Sequence, residues 1–171
     1  MKSLNYYKLY DDVLDLEFAT MGSSCFDLRA HFPSDGIDVK GYDAWSDSIL
    51  PRPCSPDIPL DISPGERVLV PTGLVLDIPF GHSVRLHPRS GLAVKKGISL
   101  ANCVGVIDSD YVEPVYVAMV NLSQRVYNVY SGDRICQAEL IFDQFYTFSV
   151  LDERPERKTS RAGGFGSTGT K

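Results

Sequence analysis

Two short stretches of this chain gather side chains suited to phosphate and proton chemistry. Asn102-Cys103-Val104-Gly105-Val106-Ile107-Asp108-Ser109-Asp110-Tyr111 sets two carboxylates beside a tyrosine, between apolar runs of strand-like composition. It reads as the tip of a β-hairpin. A carboxylate on a rigid turn takes a proton from water, and a tyrosine face suits a sugar or a base ring. The same Asp-Ser-Asp is also ordinary turn chemistry, with carboxylates capping backbone N–H groups. His87-Pro88-Arg89-Ser90-Gly91-Leu92 ends a strand-like run and presents a guanidinium, a hydroxyl and a glycine amide where a short helix begins. Those groups suit anionic oxygens, although a surface ion pair accounts for Arg89 equally well.

A third candidate lies near the C-terminus, Arg161-Ala162-Gly163-Gly164-Phe165-Gly166-Ser167-Thr168-Gly169. Gly164 to Lys171 superficially matches a P-loop, but its lysine does not follow the last glycine directly, no strand precedes it and no helix follows. Backbone amides and hydroxyls there suit a polyphosphate, and Phe165 suits stacking on a flat ring.

The elements that must carry these groups are strands. Gly 14 and Pro 11 interrupt the chain too often for ordinary helices. Pro114 to Asn121 and Ile135 to Val150 are rich in β-branched and aromatic residues, and shorter runs follow at Arg67 to Val70, Gly73 to Ile78, His82 to Leu86 and Gly97 to Ala101. Many short strands predict an all-β domain, closed or sandwiched. One helical turn or two is expected at Leu92 to Lys96, stopped by Gly97. Ser34 to Pro64, rich in proline, aspartate and serine, reads as a long excursion between strands and not as core. Residues 1–153 are thus expected as one domain with a loop insertion at about 34–64, and residues 154–171 as a flexible, glycine-rich arm.

At 171 residues and 43% hydrophobic, the chain has room for one core. Lys plus Arg number 17 against 22 Asp plus Glu, and the net charge of -5 argues against a general nucleic-acid coat. No apolar run approaches the length of a spanning helix or a signal h-region, which makes a cytoplasmic, intracellular setting the expectation. Cys25, Cys54, Cys103 and Cys136 lack any C-x-x-C spacing and, with three histidines, argue against structural zinc. They are expected as small, reduced, buried hydrophobes.

In this order the segments resemble the five motifs of the trimeric dUTP diphosphatase (dUTPase) family. Gly22-Ser23-Ser24-Cys25-Phe26-Asp27-Leu28-Arg29-Ala30 resembles the first and Pro88-Arg89-Ser90-Gly91-Leu92 the second. Asn102 to Tyr111 is similar to the third, Gly132-Asp133-Arg134-Ile135-Cys136-Gln137 to the fourth, and Arg161 to Gly169 to the fifth. The resemblance implies a jelly-roll-like, distorted β-barrel subunit and a homotrimer with active sites at subunit boundaries. It implies hydrolysis of dUTP to dUMP and diphosphate by water attack on the α-phosphate, lowering dUTP and supplying dUMP for thymidylate synthesis. Mg²⁺ would be held by the triphosphate and water.

By the same resemblance Asp108 activates the water, and Tyr111 lies under the deoxyribose, where it excludes a 2′-hydroxyl. Asn102 bonds the uracil edge, with backbone near Val106 and Ile107 and with Tyr116. Arg89, Ser90, Gly91 and Gln137 hold phosphate oxygens, and Asp27 acts on a metal-bound water. Arg161, Phe165, Gly166, Ser167 and Thr168 close over the nucleotide. Three departures from the family pattern stand out: Val112-Glu113-Pro114 follows Tyr111, Arg161 precedes Phe165 by four residues where the family has five, and Ser34 to Pro64 is longer than the compact family pattern needs. Proline removes a ladder donor, so the strand leaving the tip must be an edge, bulged or differently paired there. Rival readings are a dCTP deaminase, which needs an acid/base carboxylate on Val115 to Asn121 where none occurs, a non-catalytic nucleotide sensor, and a purely structural jelly roll.

Overall fold

Every second side chain is buried in β5 (Leu60–Ile62), β7 (Leu74–Asp77), β10 (Gly105–Ile107) and β11 (Tyr116–Asn121), the two-residue period that makes a segment a strand with one wet face. The computed structural model describes residues 3–44, 46 and 48–160. The architecture is all-β, and α1 (Ser90–Lys96) is the one helix among the described residues. Gly97 stops α1 in the left-handed region, at φ 69°, with its N–H bonded to Ala93 O.

Two larger sheets carry the core. One runs β10, β8 (His82–His87), β13 (Arg134–Phe142), β2 (Phe26–Arg29). The other runs β4 (Ile49–Cys54), β3 (Ile37–Tyr42), β6 (Arg67–Pro71), β11, β9 (Ile98–Leu100). Two ribbons, β1 (Asn5–Lys8) with β7 and β12 (Tyr127–Val129) with β5, complete the fold, so the hydrogen bonding breaks into separate sheets and does not run round a closed barrel. Phe26, Leu28, Val84, Leu86 and Ala138 of the first sheet share one hydrophobic cluster with Val39, Val68, Val70, Ile98, Val117 and Met119 of the second. Each large side chain so buried contributes roughly 1.5–3 kcal/mol.

Three expectations change. Residues 34–64 are not an excursion from the core: they hold β3, β4 and β5, and they bury Val39, Cys54, Leu60 and Ile62. Of the prolines that suggested a loop, Pro51 and Pro53 occupy the edge strand β4, where a missing N–H costs little, and Pro56, Pro59 and Pro64 fall between strands. Buried Glu66 ties this hairpin to β6, taking Arg52 Nε at 2.8 Å and the Ser63 N–H at 2.8 Å. Second, β13 stops at Phe142, because its ladder partner β8 begins at His82, directly opposite, and no strand flanks it further on. Phe145, Tyr146, Phe148 and Val150 are exposed. Third, Asn102 to Tyr111 is not a hairpin tip. β10 pairs with β8 and β11 with β6 and β9, so residues 108–115 form a corner where the chain changes sheets.

Pro114 is accommodated by that change. It stands outside the β11 ladder, which opens with Tyr116 opposite Pro71, and Val115 N–H bonds Leu74 O at 2.8 Å. Asn121 fastens the far end of β11. Fully buried, it donates from Nδ2 to Ile62 O and Arg125 O at 2.8 and 2.7 Å, and it accepts from Ser123 N and Oγ at 2.9 and 2.8 Å.

Candidate active site

Both chemistry-bearing stretches hang from β8. On one side Arg85 pairs with Val106 of β10, and on the other His87 pairs with Gln137 of β13. The corner after β10 and the Pro88 to Gly91 segment after β8 are thus fixed to one strand.

At the corner a cleft of about 310 Å³ is lined by Asn102, Val106, Ile107, Asp108, Tyr111 and Tyr116, backed by Leu69, Leu86, Val115 and Ala118. That is at the small end of ligand pockets, about 300–1,000 Å³. Gly105 lets the corner lie close on β8: a Cβ there would stand 3.1 Å from Leu86 Cβ and 3.4 Å from Asn102 Nδ2. Tyr111 is tied at both ends, its N–H to Asp108 O and its hydroxyl donating to Pro114 O, each at 3.1 Å. The ring remains 42% exposed and so presents a face to the cleft. The Asp108 carboxylate is exposed and has no hydrogen bond or ion pair among the described residues. Its lone pairs are free for a water proton.

The second cleft, of about 360 Å³, is more polar. Asp27, Arg89, Ser90, Gly91, Arg134 and Gln137 line it with Ser23, Ser24 and Cys25. Asp27 of β2 and His87 of β8 flank Gln137 in register. Asp27 is clamped by two guanidinium groups, Arg89 Nε at 3.1 Å from Oδ1 and Arg134 Nη1 at 3.2 Å from Oδ2. Arg89 Nη1 also donates to Arg134 O at 3.1 Å, and Gln137 Nε2 to Pro88 O at 3.3 Å. Ser90 and Gly91 open α1 without a side-chain cap, and nothing lies within 4 Å of the Cβ position of Gly91, so their amides are open to approach. Burial, with the charges of Glu139 and Asp27, holds the Cys25 thiol above its usual range.

The two clefts share no lining residue. Residues expected around base, sugar and water collect in the first, and those expected around phosphates collect in the second. Arg161, Phe165, Gly166, Ser167 and Thr168 lie outside the described residues. Sequence reasoning quoted Arg134 within the fourth motif but gave it no role; its pairing with Asp27, 107 residues away, is visible only in the fold. It also missed the Ser23–Ser24–Cys25 wall of the second cleft. Of the thiols, Cys54 and Cys136 are buried as expected, burial pushing them up to about 11 and about 12, but Cys103 is exposed beside Asn102.

An all-β chain with a small base-sized cleft lined by a carboxylate that has no partner among the described residues, and with a separate arginine, hydroxyl and amide cleft, has the build of a nucleotide-phosphate-binding protein. A family model described as dUTPase matches residues 56–169. The chain is 37% identical over 154 residues, 90% of each protein, to the deoxyuridine 5'-triphosphate nucleotidohydrolase of Finegoldia magna. It is 39% identical over 160 residues to that of Rhizobium meliloti, covering 92% of this chain and 85% of the other. Among solved structures it is similar to the Staphylococcus bacteriophage 80alpha dUTPase with dUPNHPP, with a TM-score of 0.73 at 16% identity over 99% of both chains. It is similar also to the dUTPase from Streptococcus mutans, with a TM-score of 0.63 at 22% identity over 86% of this chain and 100% of that one. These two likenesses concern the fold. The chain belongs to the dUTPase family.

Proposed function

We propose that this protein is a dUTP diphosphatase that hydrolyses dUTP to dUMP and diphosphate by water attack on the α-phosphate, as a homotrimer in an intracellular setting. The observation that carries the reading is the division of the chemistry. A carboxylate with no partner among the described residues lines a base-sized cleft, and phosphate-binding groups stand in another cleft that shares none of its residues. A reaction that needs both is completed between subunits, one lending the Asp108 corner and its neighbour the Arg89 loop. Residues 1–153 form the domain, and the arm at 154–171 closes a site through Arg161, Phe165, Gly166, Ser167 and Thr168.

In this mechanism Asp108 accepts the proton of the attacking water, and no covalent intermediate is needed. Asn102, with backbone at Val106 and Ile107 and with Tyr116, reads the uracil edge. Uracil offers two carbonyl acceptors around an N–H donor, and cytosine would set donor against donor there. Tyr111 packs under the deoxyribose. Arg89, Ser90, Gly91 and Gln137 orient phosphate oxygens. Magnesium fits as an ion brought by the triphosphate: the described residues form no group of three or more His, Cys, Asp or Glu, and both oxygens of Asp27 face guanidinium groups. Asp27 would hold it through a coordinated water, and the ion would neutralise developing phosphate charge.

Incubation with dUTP, UTP and the four common deoxynucleotides with Mg²⁺, measuring diphosphate and base identity, tests the reading. Diphosphate from dUTP alone is expected. Ammonia release from dCTP, or binding of dUTP without turnover, would refute it.

A further inference from the structure

Resting on the phosphate cleft proposed above, we infer that His87 is a positioning residue that holds the Glu139 carboxylate against β8 and keeps its charge from repelling the incoming triphosphate. Glu139 is two residues from Gln137 on β13 and therefore shares its face. It is an acid in an awkward place. In register it faces Arg85 of β8, and since Ala138 pairs with Phe26, the next residue on the β2 side is Cys25, a wall of the cleft. The negative charge of Glu139 reaches that wall, since it helps raise the Cys25 thiol.

Arg85 does not answer that charge, because its guanidinium meets Asp143 Oδ1 at 3.3 Å, an oxygen that also takes Ser83 Oγ at 2.8 Å. The partner is His87, whose Nε2 lies 2.9 Å from Glu139 Oε1 with both side chains about 70% covered (29% and 30% exposed). An N–H on Nε2 donates to the carboxylate in the neutral or the charged ring, and fixes it diagonally across the ladder. His87 also directly precedes Pro88, whose carbonyl takes Gln137 Nε2 at 3.3 Å, and Arg89. The bond thus sits at the root of the loop that carries the phosphate ligands. Without it, a released carboxylate competes with a polyanion for Arg89, Ser90 and the Gln137 amide.

The test is steady-state hydrolysis of dUTP by wild type, H87A, E139Q, E139D and H87A/E139Q, with melting temperatures, and with R89A as the control on the phosphate cleft. H87A is expected to raise KM for dUTP roughly three- to tenfold with kcat within about twofold, the signature of lost uniform binding. Glu139→Asp, which keeps the charge but withdraws it from the imidazole, is expected to do the same without touching His87. E139Q should leave KM at or below wild type, and H87A/E139Q should return to within about twofold of wild type. Competitive inhibition by dUMP, with fewer charges, should shift less than KM for dUTP. A merely structural pair would give a double variant at least as impaired as H87A, and that result, or an unchanged KM in both H87A and E139D, overturns the inference. If R89A raises KM and the His87 and Glu139 variants do not, only this inference falls. If wild type fails to turn over dUTP, the functional reading falls and takes this inference with it.

Discussion

Replacing Asp108 by Asn isolates the proton-transfer role, because the structure gives the side chain nothing else to do. The carboxylate is exposed and bonds no described side chain, and the contact this residue makes, Asp108 O with Tyr111 N–H at 3.1 Å, is backbone and survives the change. An isosteric surface change that breaks no contact is worth within about ±0.5 kcal/mol of stability. The reaction should suffer far more. A positioned general base supplies about 10²–10⁴ in rate, which at about 1.4 kcal/mol per tenfold is some 3–5 kcal/mol on the barrier. The expected pattern is an unchanged melting temperature, dUTP binding within a few-fold of wild type, and single-turnover hydrolysis slower by that factor. Calorimetric binding with a non-hydrolysable dUTP analogue, beside rapid-quench measurement of the chemical step, separates these quantities. A chemical step within about tenfold of wild type would remove Asp108 from the mechanism and direct attention to Asp110, also exposed at the same corner.

Tyr111→Phe keeps the ring but deletes the hydroxyl that donates to Pro114 O, so the ratio of kcat/KM for dUTP over UTP should fall several-fold, and Tyr111→Ala should lower it further; a ratio unchanged in both places the sugar pocket elsewhere. Asn121→Ala strands Ile62 O in a buried site and removes partly buried bonds to Arg125 O and Ser123 N, and should cost about 1–3 kcal/mol, read from the urea midpoint at constant m-value. Deleting residues 161–171 should leave an oligomer of unchanged form that hydrolyses dUTP far more slowly, as sedimentation and turnover on one sample would reveal; full activity would remove the arm from the site.

What the sequence disclosed depended on how local each signal was. Pro88 to Leu92, Asn102 to Tyr111 and the alternation in β11 carry their meaning within a few residues, and the structure places them directly after β8, across β10 into the inter-sheet corner, and on a central strand. The same locality misled at residues 34–64, where proline spacing suggested a loop: Val39, Cys54 and the Arg52–Glu66 pair become core only once β6 lies beside β3, a fact no window of that segment contains. Phe145 and Phe148 extend a convincing strand composition past Phe142, but a strand needs a partner and β8 has already ended. The Arg134–Asp27 and His87–Glu139 pairs join residues 107 and 52 apart, so their pairing is set by the register of β13 against its neighbours and no single local segment shows it.

The most direct test of sites shared between subunits is complementation between D108N and R89A, each nearly inactive alone, co-expressed with different tags and purified as mixed oligomers. A site that takes Asp108 from one subunit and Arg89 from another is intact in about one quarter of random combinations, so activity near that fraction of wild type is predicted. Activity no higher than that of the two variants measured separately would mean that both groups serve one site within a single chain, and would contradict the account.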